Sequence, residues 1–171
     1  MTLDRLWAGW RSSYIEEVFT QGRSTGDEGC LFCRLAAARD VEGALVLARD
    51  EHVFAVMNAY PYTSGHLMVA PLRHEGSLAA LSRDEAGALM AMAQEATVAL
   101  EHAYSPDGIN VGANLGRAAG AGIPGHLHLH ALPRWNGDTN FMTSVAEARV
   151  LPEPLHRSWE KLKAAWPTSA T

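Results

Sequence analysis

One heptapeptide alternates histidine with aliphatic residues: His126-Leu127-His128-Leu129-His130-Ala131-Leu132. Successive side chains of a β-strand point to opposite faces, so the pattern predicts a strand with three imidazoles on one face and the leucines on the other. The leucines can then pack on a helix while the imidazoles line a site. Three charged imidazoles on one face would repel each other, so at least some of them must be neutral at pH 7. A merely histidine-rich surface strand is the alternative.

The rest of the chain predicts an antiparallel α+β fold, because strands mix with helices without strict βαβ alternation. Ser82 and Glu85 fit a capping box that starts a long helix, which Pro106 and Gly108 end. Pro133 is expected to end the histidine strand. The other expected strands cover 44–48, 53–57, 66–70 and 109–115, and a short helix over 30–38 and a C-terminal helix over 152–166 complete the set.

Composition and charge limit the possible partners. The chain has 171 residues, of which 47% are hydrophobic, and 19 acidic residues against 14 basic ones give a net charge of -5. This balance speaks against binding a nucleic-acid polymer or an anionic membrane, and no apolar run approaches a membrane span. The N-terminus has no basic segment followed by an apolar core, which predicts a cytoplasmic protein. We expect an aromatic extension over 1–27 that packs on a domain over 28–150, and a C-terminal helix and tail over 151–171.

The two cysteines, Cys30 and Cys33, have the C-x2-C spacing of metal or redox sites. Reduced core thiols and a redox pair are the alternatives to a metal site. The three histidines with a water could instead hold a catalytic zinc, although that leaves the cysteines unexplained.

Three segments together resemble the histidine triad (HIT) superfamily of nucleotide hydrolases and transferases. The heptapeptide matches the His-φ-His-φ-His-φ-φ signature of that family, where φ is an apolar residue, and Pro133-Arg134-Trp135 follows it as in the dinucleoside polyphosphate branch. The segment Asn58–Pro71 resembles the family's stretch that contacts the ribose, and Asn110–Gly116 resembles the strand and loop before the triad. The opening Leu6–Ile15 looks like the N-terminal extension of bacterial diadenosine tetraphosphate phosphorylase-like members. The resemblance implies a HIT-like fold, an antiparallel sheet of about five strands with a long helix and a C-terminal helix.

The resemblance also assigns roles to the histidines. The middle histidine, His128, would attack the α-phosphorus of a nucleotide and form a nucleotidyl-histidine intermediate, which water or phosphate would release. His130 would donate to a phosphate oxygen or the leaving group, and His66 would orient the triad. The implied reaction is cleavage of dinucleoside polyphosphates by hydrolysis or phosphorolysis. The alternatives are a nucleoside phosphoramidase using His128 and a nucleotide-binding module with little turnover.

Substrate contacts are expected from residues around the triad. Asn58 matches a ribose-contacting position, although it could be a plain turn asparagine. Trp135 could stack on a second base or pack at a dimer edge. Glycines let the loop 116–125 present backbone amides to phosphate, and Ala121 and Gly122 stand where many family members carry Gln, Ser or Thr. The donors expected there are Asn114, Arg117, Gly120 and Gly122.

The resemblance further implies a structural zinc ion. Several family members recruit two histidines beside such cysteines, and His74 and His126 match those positions. The implied ligand set is Cys30, Cys33, His74 and His126. It also implies a homodimer, because family members commonly pair through a helix and a strand.

Overall fold

The structure is a computed structural model that describes residues 29–138 and 153–167. The predicted extension over 1–27 lies outside the described residues. The helices are α1 (Leu31–Ala37), α2 (Arg83–Tyr104) and α3 (Leu155–Ala165), with short 3-10 turns at Leu78–Ala80 and Arg117–Ala119. The strands are β1 (Val46–Arg49), β2 (Val53–Met57), β3 (Leu67–Pro71), β4 (Gly108–Gly112) and β5 (Leu129–Arg134).

The five strands form one antiparallel sheet in the order β1-β2-β3-β5-β4, which confirms the predicted fold class. Strand β2 is buried on both faces, and alternate residues separate two cores. Val53 and Ala55 pack with α2 and α3 on one face, whereas Phe54 and Val56 pack with α1 on the other. The sheet therefore has α2 and α3 on one face and α1 on the other.

Helix α2 begins as its sequence predicts. Ser82 accepts from the backbone N–H of Glu85, and the Glu85 side chain accepts from the backbone N–H of Ser82. The helix ends at Ser105, which adopts a left-handed conformation with φ 44°. Local interactions therefore fix both ends of α2, and the helix packs on the sheet through core residues that include Leu89 and Leu100.

The histidine strand differs from its prediction in both bounds. Strand β5 begins only at Leu129, because its ladder with β3 begins where Val69 pairs with Leu129. Two of the three histidines therefore precede the strand. The strand also continues through Pro133, which pairs with Ile109. The β3 ladder reaches no further than Ala131 in the described part of the chain, so proline is tolerated on that open side.

Helix α3 covers the edge of the sheet at β1. The Trp159 indole N–H donates to the carbonyl of Val46 at 3.1 Å, and Lys163 Nζ donates to that of Leu47 at 2.6 Å. Leu45, just before the strand, has a φ of 55°, and the register shifts between Val46 and Ala48. Helix α3 thus supplies donors to carbonyls of an irregular edge strand. Among the described helices, none combines the length and apolarity that crossing a membrane requires.

Candidate active site and metal centre

Two cysteines and two histidines from distant parts of the chain meet beside α1. The ligand atoms of Cys30, Cys33, His74 and His126 all lie within 4.8 Å of one another. The Sγ atom of Cys33 is 3.3 Å from Nδ1 of His74, and the Sγ atom of Cys30 is 3.4 Å from Nδ1 of His126. The structure therefore assembles the ligand set that the family resemblance implied.

The spacing of these atoms fits a tetrahedral zinc ion. With Zn–S of about 2.3 Å and Zn–N of about 2.05 Å, sulfur and nitrogen ligands stand about 3.6 Å apart. The distances of 3.3, 3.4 and 3.6 Å between Sγ and Nδ1 atoms agree with that value. His126 also donates from Nε2 to the carbonyl of Pro71 at 2.8 Å, which leaves Nδ1 available to a metal.

His128 lies directly after this cluster and is 6% exposed. Its Nδ1 is 2.8 Å from the carbonyl oxygen of His126. A carbonyl only accepts, so Nδ1 carries the proton and Nε2 of the neutral ring keeps a free electron pair. Burial lowers the pKa of His128, outweighing the raising effect of the bond to the His126 carbonyl. His128 is therefore a neutral imidazole with a nucleophilic Nε2.

A chain of hydrogen bonds sets the opposite arrangement in His130. The backbone N–H of Tyr62 donates to Nδ1 of His66 at 3.1 Å, so Nε2 of His66 carries the proton. That Nε2 is 3.0 Å from Nδ1 of His130 and donates to it. The remaining nitrogen of His130, Nε2, must then carry a proton. The ring centroids of His128 and His130 are 5.0 Å apart, which places a nucleophile beside a hydrogen-bond donor.

His66 and His130, which these hydrogen bonds join, are both neutral at physiological pH. Burial, reinforced by the nearby His130 and His128, lowers the pKa of His66 to about 3. Burial, reinforced by the nearby His128, lowers the pKa of His130 to about 4. The requirement for neutral imidazoles, deduced from the sequence, is therefore met by burial and proximity.

The alternation of the heptapeptide persists although the strand starts late. Leu127, Leu129 and Ala131 pack in the core under α2, and the histidines lie on the other face. His126 and His128 are buried, so a histidine-rich surface strand is wrong. In the described residues, the group with converging metal ligands contains His126 but neither His128 nor His130. The three histidines therefore do not share one metal ion.

A model of the HIT domain matches residues 39–137, which is more than half of the chain. The chain belongs to the HIT domain family. A protein from Mycobacterium tuberculosis named AP-4-A phosphorylase is 40% identical over 166 residues, covering 96% of this chain and 85% of the relative.

Solved structures of HIT proteins share the fold. A zinc-bound histidine triad family protein from Mycobacterium smegmatis superposes with a TM-score of 0.66 at 28% identity, covering 82% of this chain and 94% of that one. A HIT family protein from Bacillus anthracis gives 0.56 at 29% identity, covering 63% and 74%. The two agree with the five-stranded antiparallel sheet described above.

Asn58 lies against His66 of this HIT protein. Its Nδ2 is 3.3 Å from Nδ1 of His66, and its Oδ1 accepts from the backbone N–H of Tyr60 at 3.0 Å. The second contact is that of a turn asparagine, as the alternative interpretation expected. Asn58 thus shapes the loop before His66, and its contact with a ribose stays a prediction.

The glycine loop joins the site at its C-terminal end. Ile123 packs in the core beside α1, and the loop runs directly into His126. A Cβ on Gly76 would stand 2.5 Å from the carbonyl oxygen of Pro124, so the absence of a side chain there permits the close approach. The predicted phosphate donors lie further back: Arg117, Gly120 and Gly122 are exposed, and Asn114 is half-buried. Their contact with phosphate stays a prediction.

Trp135 lies at the far end of β5 from the metal cluster. Its ring meets Tyr104 edge-on with centroids 6.2 Å apart. Tyr104 also packs against Gly65, where a Cβ would stand 2.8 Å from its ring. Gly65 has a φ of 81° and directly precedes His66, so Tyr104 connects Trp135 to the loop of that histidine. Neither stacking on a base nor packing at a dimer edge follows from this contact.

Two aromatic residues belong to the site although the sequence pattern did not single them out. The ring of Phe32 stacks on that of His128 with centroids 4.8 Å apart and an interplanar angle of 28°. The centroid of the Tyr62 ring lies 4.6 Å from that of His66 and 6.1 Å from that of His130. Phe32 lies inside the C-x2-C pair and Tyr62 lies four residues before His66. These two positions are the signals in the sequence that could have placed the rings at the site.

Proposed function

We propose that this HIT protein is an enzyme that cleaves dinucleoside polyphosphates such as diadenosine tetraphosphate through a nucleotide bound covalently to His128. The single observation that supports this most is the opposite protonation of two adjacent imidazoles. The bond to the His126 carbonyl leaves Nε2 of His128 free to attack, and the chain through His66 makes His130 a donor.

The first step uses these two groups together. Nε2 of His128 attacks the α-phosphorus, a P–N bond forms, and the bond from that phosphorus to the bridging oxygen breaks. ATP leaves, and adenylyl-His128 remains. The Nε2–H of His130 is a donor for a phosphoryl oxygen or for the departing oxygen, where negative charge develops. Neutral His130 serves this purpose at pH 7 because burial keeps its pKa near 4.

The second step transfers the adenylyl group to an acceptor. Phosphate attacking the phosphorus gives ADP and frees His128, whereas water gives AMP. The M. tuberculosis relative is named a phosphorylase, which favours phosphate. Loop residues Ala121 and Gly122 offer no hydroxyl or amide side chain, so backbone amides of the loop, together with Asn114 and Arg117, would hold that phosphate.

A zinc ion held by Cys30, Cys33, His74 and His126 is part of this proposal. Its role is structural, because four protein ligands close a tetrahedral site and leave no position for substrate. The converging Sγ and Nδ1 atoms support it, as does a neighbour described as zinc-bound. Zinc thiolates suit a reducing compartment, which agrees with a cytoplasmic location.

We also propose that two chains pair along β4. This strand is at one edge of the described sheet and is mostly exposed, with Val111 45% exposed. Met90 on α2 is 56% exposed. An edge strand with apolar side chains favours pairing with another strand. Light scattering after size exclusion would report a dimer, and a monomer at all concentrations would contradict this part.

Product analysis tests the proposed reaction. The protein is incubated with diadenosine tetraphosphate, with and without inorganic phosphate, beside the variants His128→Ala and His102→Ala. His102 is an exposed histidine of α2 and serves as the matched control. We expect repeated turnover to ADP and ATP only with phosphate, unchanged products for His102→Ala, and none for His128→Ala. Absence of turnover by the unaltered protein, or turnover by His128→Ala, would reject the proposal.

A further inference from the structure

The metal cluster and the attacking histidine share one residue. His126 turns its Nδ1 to the cysteines, and its backbone carbonyl accepts from Nδ1 of His128 at 2.8 Å. Its ring is also fixed from the other side by the bond to the Pro71 carbonyl. Any movement of the cluster therefore moves the group that sets the protonation of His128.

Phe32 makes a second connection between the same two places. It lies between Cys30 and Cys33 on the first turn of α1, and it is only 1% exposed. Its ring stacks on that of His128, with centroids 4.8 Å apart, and its centroid lies 5.2 Å from that of the His126 ring. Because both neighbouring cysteines contribute to the metal cluster, the position of the Phe32 ring depends on that cluster.

The stacked ring restricts a motion that the hydrogen bond alone does not stop. The bond from Nδ1 fixes one atom of His128, and the imidazole can still tilt about that bond. A flat ring at an angle of 28° covers one face and opposes the tilt. The ring of His130 is nearly perpendicular to that of His128, with centroids 5.0 Å apart, and limits movement on another side. The direction in which Nε2 of His128 points is thereby set.

We infer that Phe32 is a positioning residue for His128, and that metal occupancy of the C-x2-C cluster sets the orientation of the nucleophile through Phe32. This inference rests on the proposed function for its kinetic part only. Errors of about 1 Å in the approach of reacting atoms can cost about 10²-fold in rate. A leucine at position 32 would keep the site apolar but lose the flat surface.

The test compares Phe32→Leu with Phe54→Leu. Both phenylalanines are fully buried in one core cluster, with ring centroids 6.5 Å apart. Phe54 serves as the control because it belongs to β2 and lies outside the C-x2-C segment. Phe32→Met is a second variant in case Phe32→Leu folds poorly. The readouts are zinc content, melting temperature, kcat and KM for diadenosine tetraphosphate, and the ring order of His128 from NMR relaxation without nucleotide.

We expect Phe32→Leu to lower kcat at least about 10-fold with KM within about threefold, and to increase the ring mobility of His128. Phe54→Leu should lose similar stability and keep both kcat and ring order. A rise in KM alone would assign Phe32 to substrate contact and overturn the inference. Equal loss of kcat in both variants, or unchanged ring order in Phe32→Leu, would overturn it as well.

Metal removal tests, without any substrate, whether metal occupancy sets the orientation of His128. Chelation should increase the ring mobility of His128 in the unaltered protein and add little in Phe32→Leu, whose ring is already mobile. An unchanged His128 ring in the metal-free protein would overturn the connection. Since this readout needs no turnover, its failure is distinguishable from failure of the proposed reaction, which the product analysis reports.

Discussion

Because His66 is buried and neutral, we expect the free energy of unfolding to fall sharply in mild acid. Its pKa in the folded protein is about 3, against an ordinary value of 6.5. The unfolded chain therefore binds a proton below about pH 6.5 that the folded chain does not bind. The contribution of neutral His66 is complete above pH 6.5 and is lost as the pH falls toward 3.

The size of the effect follows from the shift. Two pH units below 6.5, at about pH 4.5, the lost stability from His66 is about 3 kcal/mol, at about 1.4 kcal/mol per unit. This is a large fraction of the roughly 5–15 kcal/mol that stabilise a typical domain. His130 acts in the same direction, because its pKa is also lowered.

The assay is urea denaturation followed by tryptophan fluorescence between about pH 7 and 4.5, with His66→Gln as the comparison. Glutamine can accept from the Tyr62 N–H and donate to His130 but does not titrate. Protonation of the cysteine and histidine metal ligands affects both proteins equally and cancels in the difference. The unaltered protein should lose about 3 kcal/mol more than His66→Gln over this range. Equal losses in the two proteins would refute the reasoning.

Three further outcomes follow from particular contacts. Ser64→Ala should raise the free energy of unfolding by about 1 kcal/mol in urea titration, because the buried Ser64 hydroxyl has no hydrogen-bond partner among the described residues; a loss of stability would contradict this. Gly76→Ala should weaken zinc retention in a chelator competition, since the new Cβ would stand 2.5 Å from the Pro124 carbonyl oxygen, and unchanged retention would show that the loop adapts freely. We expect metal analysis to find about one zinc per chain in the unaltered protein and in the control Leu31→Ala, and none in purified Cys33→Ser. Equal zinc in Cys33→Ser and the unaltered protein would remove the cysteine from the ligand set.

The sequence predicted best those elements whose bounds are set locally. The capping pair Ser82 and Glu85 fixed the start of α2, and the apolar run 53–57 matches β2 residue for residue. The C-terminal helix was also predicted, and its apolar face packs in the core with Leu162 fully buried. In each case neighbouring residues carry enough information, because caps and periodicity act over a few residues.

The bounds of β5 could not be read from the alternating pattern. Alternation shows which face a side chain takes, and that was correct, but a strand begins where a neighbouring strand offers hydrogen bonds. That neighbour, β3, begins at Leu67 and determines the ladder by tertiary contact. Pro133 continues the strand because its side of β5 is open, and the sequence alone does not show which side of a strand is open.

The candidate site was predicted in part. The resemblance named His66, His128 and His130, and the structure brings them together. It could not show that Phe32 stacks on His128, because that contact joins residues 96 positions apart, nor that the Tyr62 backbone fixes the protonation of His66. Both depend on how loops pack against β5.

The central claim is that Nε2 of His128 bonds to phosphorus. The most direct measurement is rapid acid-free quenching of the protein with diadenosine tetraphosphate in the absence of phosphate, followed by peptide mass spectrometry. We expect one adenylyl group on the peptide that contains the triad, with fragment ions that assign it to His128, and its disappearance when phosphate is added. An adenylyl group on His130, or turnover without any adenylated peptide, would contradict the account.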